Sequence, residues 1–525
     1  MRDVNATDIR DAIRLGCRTM ASVFNADDHD LPYFGSQVRP DPRLSGGGLS
    51  DAHVPGRHLN ALLNAEDAAG IAIDAASVAK HARAAFYSYS GPLALPLGRS
   101  ASGGCLGAFD PHNVREGFHA LCALAQFRDS ERAQEVAAAS IAAIFEHWSA
   151  DSGWDRDRLE RAHGLEFQPT ETFIVGLARA IGPLVKYFRA TGYGPALELA
   201  IVLKEKATAE FFLADGSYEA RRFGTHTHST TCVMSSLAQL ADLTSDVVLL
   251  ERVKAFYDHG LWGIRDALGW VMENSGDKNQ HAMDRGEANN TGDIVETALI
   301  LGRWGHAAAY HDAERILRGH LLPSQLRDTS FIVDPPNPNR HDGLRNLAAR
   351  HLGAFGFPAP YGHEPLGIER ISFNMDIVGG AVGSLCEAYR DVTRFDQAGH
   401  WVNLLFDHET EAIKVESIYT HRALTITLKQ PGPLFVRLPP WVPAGGVTVG
   451  GMAGAYRVTR GYLFFPQPPL RQAISISFAL PEQELVLVPH DPEIRVRLRG
   501  DAVTAMDNFG ADLTFFEPIG SQRRS

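Results

Sequence analysis

The sequence predicts a mainly α protein with a β domain, an (α/α)6 toroid of six helical hairpins followed by an antiparallel β-sandwich. Three observations carry this. Up to about Arg394 apolar residues recur with helical period, in segments of ordinary helix length separated by loops rich in Gly, Pro, Asp and His. After His400 the texture changes to short alternating or β-rich runs punctuated by Pro and Gly. Helices first and strands second imply two layers of different class rather than a βαβ sheet. The expected division is 1–400 for the toroid and 401–525 for the sandwich. A chain of 525 residues, 45% hydrophobic and 21% charged, can bury a core of that size.

The expected helices come in pairs, about twelve in all. They run from Thr7 to Phe24, Gly56 to Ala68, Ala75 to Tyr89, His112 to Phe127, Ser130 to Ser149 and Pro169 to Thr191. They continue from Pro195 to Leu213, Ser229 to Ala241, Ser245 to Leu268, Asn290 to Trp304, Ala307 to Gln325 and Ile368 to Arg394. Pro111 after Asp110, and Pro169 before Glu171, mark two starts, because proline is tolerated in a first turn and acids favour a helix N-terminus. Ile294, Val295, Ala298, Leu299, Ile300 and Leu301 leave one helix without a wet face, the mark of an inner helix. Gly379, Gly380 and Gly383 permit close packing of the last. The expected strands are Ile413 to Tyr419, Ala423 to Leu428, Leu434 to Leu438, Val447 to Val449, Tyr462 to Phe465, Ala473 to Phe478 and Glu484 to Val488, with PGP at 431–433 and PAGG at 443–446 as turns.

The formal charge of −12, with no basic cluster beyond Arg523 and Arg524, excludes a nucleic-acid surface. Cys17, Cys105, Cys122, Cys232 and Cys386 are scattered and odd in number, which fits a reducing compartment. The charged N-terminus lacks the apolar core of a signal peptide, and no run approaches the roughly 18 apolar residues of a membrane span. A cytoplasmic protein with no membrane partner is expected, and a homo-oligomer is compatible with the sequence.

The chemistry concentrates in DRGEANNTGDIVETALILGR, from Asp284 to Arg303, a polar loop that launches the apolar helix. Glu287 is the first candidate acid, set between Arg285 and the amides of Asn289 and Asn290, where a raised pKa suits a general acid. Asp293 follows Asn290 by three residues, a capping-box spacing, so it caps or takes part in catalysis. Asp376 opens another inner helix. GTHTHSTTC places His226 and His228 before a helix that Ser229 can cap, and such a loop suits ring hydroxyls. Metal binding by this His-x-His lacks a clear third ligand, so no metal and no cofactor are expected. Glu171, Asp110, His112, His53, Arg57 and Trp154 are further substrate-contact candidates at neighbouring helix mouths. Phe355, Phe357, Tyr361 and Phe373 form a stacking platform or pack as a loop on the barrel. The glycine runs at 46–48 and 103–104 lack the lysine of a P-loop and read as loops over the cleft.

Six helical hairpins followed by a sandwich resemble many carbohydrate-active enzymes. More specifically, RGEANNTGDIVETALILGRWGHAAAYHDAERILRGHLLPSQ is similar to the Glu-x-Cys helix and following helix of the bacterial β-L-arabinofuranosidase family. VNLLFDHETEAIKVESI and LFVRLPPWVPAGGVTVGG resemble that superfamily's sandwich. The resemblance implies a sugar cleft at one end of the inner helices, with Glu287 and Asp376 near its catalytic groups. One departure matters. The family's zinc-thiolate centre uses a cysteine two residues after the glutamate and a later cysteine pair, whereas Asn289 stands at the first position and FNMDIVGG has Asp376 and no cysteine. The scaffold and the cleft are implied, without the cysteine nucleophile, that zinc site or the arabinose specificity.

The expected function is a glycoside hydrolase acting on a glycan or oligosaccharide, with an anionic sugar such as a uronic acid compatible with the loop arginines. Glu287 is the expected acid, and Asp376 or Asp293 the nucleophile or base. The alternatives are a polysaccharide lyase or unsaturated-uronide hydrolase on the same toroid, an isomerase of free sugars, and a non-catalytic carbohydrate-binding scaffold.

Overall fold

The computed structural model describes residues 4–100, 104–276, 284–368, 370–443, 445–452 and 455–520. Arg523, Arg524, Gly103 and Ala444, all part of the sequence expectations, lie outside the described residues.

Among the described residues, twelve helices of ten residues or more organise the first part: α1 (Ile9–Met20), α2 (Val54–Ala69), α3 (Ala75–Ser88), α4 (Val114–Arg128), α5 (Glu131–His147), α6 (Ile181–Thr191), α7 (Gly194–Glu210), α8 (Thr227–Thr244), α9 (Val247–Asp258), α10 (Ala288–Arg303), α11 (Ala307–Ile316) and α12 (Met375–Asp391). The even-numbered helices form a closed inner ring, each packing on the next and α12 returning to α2. The others lie outside, α1 against α12 and each remaining one against the inner helix that precedes it. In α10 only Glu296 and Arg303 escape burial, as expected of an inner helix. Two glycines set the spacing between inner helices. A Cβ at Gly56 would run into the Glu116 carbonyl of α4, and one at Gly379 would lie 2.8 Å from the backbone of Arg57 on α2.

Several helix boundaries depart from expectation. No helix starts at Pro169. The chain runs irregularly to a 3-10 turn at Leu177–Ala180, and α6 begins only at Ile181. The last inner helix starts at Met375 rather than Ile368, and α11 passes at its end into a π turn at Leu317–Leu321. Side-chain caps occur only on outer helices, on four of the six, since α7 and α11 also lack one. Asp8, Ser130 and Asp246 cap α1, α5 and α9 with their side chains, as Asp74 caps α3, whereas no inner helix has a side-chain cap bond.

Beyond α12 the chain is rich in sheet. One five-stranded sheet has the order Thr393–Asp396, Gly399–Val402, Leu434–Arg437, Tyr462–Phe465, Arg457–Thr459. A second has the order His408–Glu409, Ile413–Glu416, Leu424–Leu428, Ala473–Ser477, Thr448–Gly450. Alternating residues of both, including Val402, Leu434, Leu463, Ile413, Ile426 and Ile476, share one hydrophobic cluster. The expectation of purely antiparallel pairing is corrected at Gly399–Val402, which runs parallel to Leu434–Arg437. The segment from Glu482 is a third sheet, Glu482–Leu487, Ile494–Arg499 and Ala502–Met506, whose inner residues pack with Leu268, Ala359 and Tyr361 of the helical part. Tyr361, Phe355 and Phe373 are therefore core residues, not a sugar platform, and of the four aromatics only Phe357 lines the cavity described below. Among the described residues no helix is long and apolar enough to cross a membrane.

Candidate active site

The N-terminal ends of the inner helices converge. His53 and Arg57 come from the start of α2, Glu116 from α4, His226 and His228 from α8, Glu287 from the residue before α10, and Asp376 from the first turn of α12. A cavity of about 190 Å3 opens there, lined by His53, Arg57, His112, His226, His228, Glu273, Glu287 and Asp376 with Phe34, Leu49, Phe357, Asn374 and Ile377. Because none of these helices has a side-chain cap, their first N–H groups give the mouth a positive dipole field. The carboxylates gathered there offset it.

Glu116 is the electrostatic hub beneath the cavity. It is fully buried, and its Oε1 lies 3.2 Å from both Nε and Nη2 of Arg57 and 2.9 Å from nitrogens of Arg115 and Arg179. Burial raises its pKa, but Arg179, His53, Arg57 and Arg115 outweigh that and hold it well below the usual range. Arg57 in turn places Nη1 3.1 Å from Asp376 Oδ2, and His53 Nε2 lies 3.4 Å from the same oxygen. Asp376 is also ionised: burial raises its carboxyl, and Arg57 and His53 pull it below its ordinary value.

Glu287 lies at the N-cap of α10 and makes no capping bond. Its Oε1 accepts from Asn289 Nδ2 at 2.7 Å and stands 3.5 Å from His228 Nδ1, while Oε2 stands 3.7 Å from His226 Nε2. The expectation of a raised pKa is corrected. Burial does push it up, but the His226 ring and the Arg57 charge bring it below its usual value. The raised carboxyl is Asp293, pushed by burial to about 7 against the counteracting Arg115. Asp293 accepts from Thr231 Oγ1 at 3.0 Å and lies 3.5 Å from His228 Nε2. It borders a narrow space of about 30 Å3 under the main cavity, shared with Arg115, His119, Lys186 and Glu296.

The capping expectations here fail for one reason: both helices start two or more residues earlier than the sequence suggested. Asn290 and Asp293 are inside α10, where Asn290 Oδ1 accepts from Thr231 Oγ1 at 2.8 Å. Ser229 is inside α8, and its Oγ lies 2.9 Å from Nδ1 of His226, the true N-cap.

Other candidates stand outside the lining. Arg285 reaches Glu273 at 3.0 Å and covers the Phe357 ring at 4.3 Å, so it backs the wall. Glu171 sits in a loop and accepts from Thr225 N and Oγ1 at 2.9 and 3.0 Å, which fixes the turn before His226. Asp110 caps the 3-10 turn at Pro111–Asn113, the device read from the sequence, through His112 N at 2.9 Å. Trp154 packs edge-on against Phe109 with ring centroids 4.9 Å apart. Sequence reasoning missed Glu116, Arg115, Arg179 and Glu273. A glutamate in the apolar segment VREGF, needing buried arginines as partners, is the signal for the first three.

Neither a protein-family model nor a curated protein sequence matches the chain. In structure it is similar to a GH127 β-arabinofuranosidase, with a TM-score of 0.59 and 13% identity over 93% of this chain and 78% of that one. It is also similar to a GH127 β-L-arabinofuranosidase from Geobacillus stearothermophilus T6, at 0.57 and 12% over 94% and 80%. A further glycoside hydrolase matches at 0.56 and 12% over 92% and 84%. At these identities the likeness is one of fold.

Proposed function

We propose that this chain is a glycoside hydrolase whose active centre is the cavity at the N-terminal mouth of the inner ring. The carrying observation is that Glu287 and Asp376, from α10 and α12, both line one cavity and are both held ionised. In this reading 1–400 is an (α/α)6 catalytic toroid and 401–525 a β-rich unit built around a sandwich of the two five-stranded sheets. The fold shared with the arabinofuranosidases supports it, but their thiolate centre does not fit this chain: Asn289 and Asp376 occupy the positions in question, and Asn289 is spent on Glu287.

Two ionised carboxylates suit attack at, or stabilisation of, an oxocarbenium-like centre. Asp376 is the nucleophile or the base for water, since Arg57 and His53 keep it charged without capping its access to the cavity. Glu287 acts at the leaving oxygen beside His226, whose ring is the most exposed of this group. A neutral sugar is the first substrate class, because Arg57 and Arg285 already face carboxylates and a uronic acid must compete for them. Incubation with a panel of neutral and uronate-bearing glycans, following reducing ends and the absorbance of unsaturated uronate, tests the reading. Release of reducing ends without that absorbance is expected. Unsaturated uronate as the product would make the chain a lyase, and inertness on the whole panel would favour a binding scaffold.

A further inference from the structure

One donor atom from each of His226, His228 and Glu287 lies within 4.8 Å of the other two. The separations to the Glu287 oxygens are 3.7 Å from His226 Nε2 and 3.5 Å from His228 Nδ1. Ligands on a tetrahedral ion with bonds of about 2.0–2.2 Å stand roughly 3.3 Å apart. The observed gaps therefore close with small side-chain turns, and His226, the most exposed of the three, can make them.

A second observation points the same way. His228 is 1% exposed and its Nδ1 makes no hydrogen bond, although a buried ring nitrogen left alone is costly. Of the nitrogens facing away from the shared point, His226 Nδ1 is held by Ser229 Oγ at 2.9 Å, and His228 Nε2 faces Asp293 at 3.5 Å. Asn289 anchors the carboxylate at 2.7 Å. Outer groups that fix ring orientation in this way are the usual support of a histidine metal site.

We propose that His226, His228 and Glu287 bind a divalent transition-metal ion of the zinc class, with a fourth position open to the cavity. Two imidazoles and one carboxylate suit zinc or its neighbours, and not magnesium or calcium, which prefer all-oxygen ligands. A bound ion of this kind polarises an oxygen ligand or activates water. This proposal runs against the expectation of no metal. The third ligand of His-x-His comes from the next inner helix, where sequence spacing gives no hint of it. The inference shares Glu287 and His226 with the proposed hydrolase site but does not rest on that reading, since its test reads binding without substrate.

The test is zinc titration of chelator-treated full-length protein by calorimetry, with metal content measured after gel filtration and the visible spectrum recorded after cobalt addition. The expected result is one zinc per chain, a cobalt spectrum of low coordination number, and a zinc-dependent rise in melting temperature. His226→Ala, at the exposed edge and with its fold checked by melting, should abolish stoichiometric uptake. Asp293→Asn should weaken it about tenfold to a hundredfold through His228. His421→Ala, an exposed histidine outside the site, should change nothing. No uptake by the wild type, or equal uptake by His226→Ala, would overturn the proposal even if glycans are cleaved.

Discussion

His228 Nε2 lies 3.5 Å from Oδ2 of Asp293, the one carboxyl of the site that burial lifts to about 7. A carboxyl whose folded pKa exceeds its unfolded value near 3.8 favours the folded state in its protonated form. That stability is fully present below about pH 4 and is lost as pH rises through about 7.

Asp293→Asn removes the titration while its amide oxygen still accepts from Thr231. Thermal melts in chelator should show wild type losing stability between pH 4 and 7, by at most about 4 kcal/mol, and the variant staying nearly flat. Parallel curves for the two proteins would refute the assignment.

Glu287→Gln should fold normally, because the Gln oxygen can still accept from Asn289, and should lower turnover at least about a hundredfold. The measurement is turnover on the best glycan of the panel with melts alongside. Near wild-type turnover would remove Glu287 from the chemistry.

Asp376 and Glu116 both face Arg57, and their variants should fail differently. Asp376→Asn leaves Arg57 paired with Glu116 at 3.2 Å, so the fold persists while turnover falls at least about a hundredfold. Glu116→Gln strips the shared counter-charge from buried Arg57 and Arg179 and from half-buried Arg115, and a broken buried pair costs about 3–5 kcal/mol. Denaturant titration should show a large loss for Glu116→Gln and a small one for Asp376→Asn. The reverse order would mean that Asp376 is the structural carboxylate.

These residues also mark what was legible in the sequence. The inner helix after Glu287 announced itself by having no polar face, and the loop chemistry before it stood out against that run. Helix starts were harder, because the inner helices lack side-chain caps: Asn290 and Ser229 look like caps and are interior residues. Glu116 could be suspected from its own segment but not paired from it, since besides its neighbour Arg115 its partners are Arg57 of α2 and Arg179 of the turn before α6. The strand Ile494–Arg499 alternates as IRVRLR but is missing from the expected strands, and its packing on Leu268 and Tyr361 is a long-range fact no local pattern carries.

The link between that third sheet and the helical part turns on His490, which lies between strands Glu482–Leu487 and Ile494–Arg499. Its Nδ1 is 2.5 Å from Asp284 Oδ1, its Nε2 is 3.2 Å from Asp266 Oδ2, and its ring packs on Trp270 with centroids 4.9 Å apart. Burial alone would lower its pKa, but the two aspartates raise it to about 9, so the ring is a charged bridge at neutral pH. The folded value lies above the unfolded 6.5, so the stability it contributes is fully present below about pH 6.5 and disappears as pH rises through 9. The expected loss is up to about 3 kcal/mol. His490→Gln should start less stable at pH 6 and lack this decline, because Gln keeps a donor but carries no charge between the two aspartates. Melting temperatures of both proteins from pH 6 to pH 10 decide it: a variant that declines as steeply as wild type would place the alkaline transition elsewhere and leave His490 a neutral packing residue.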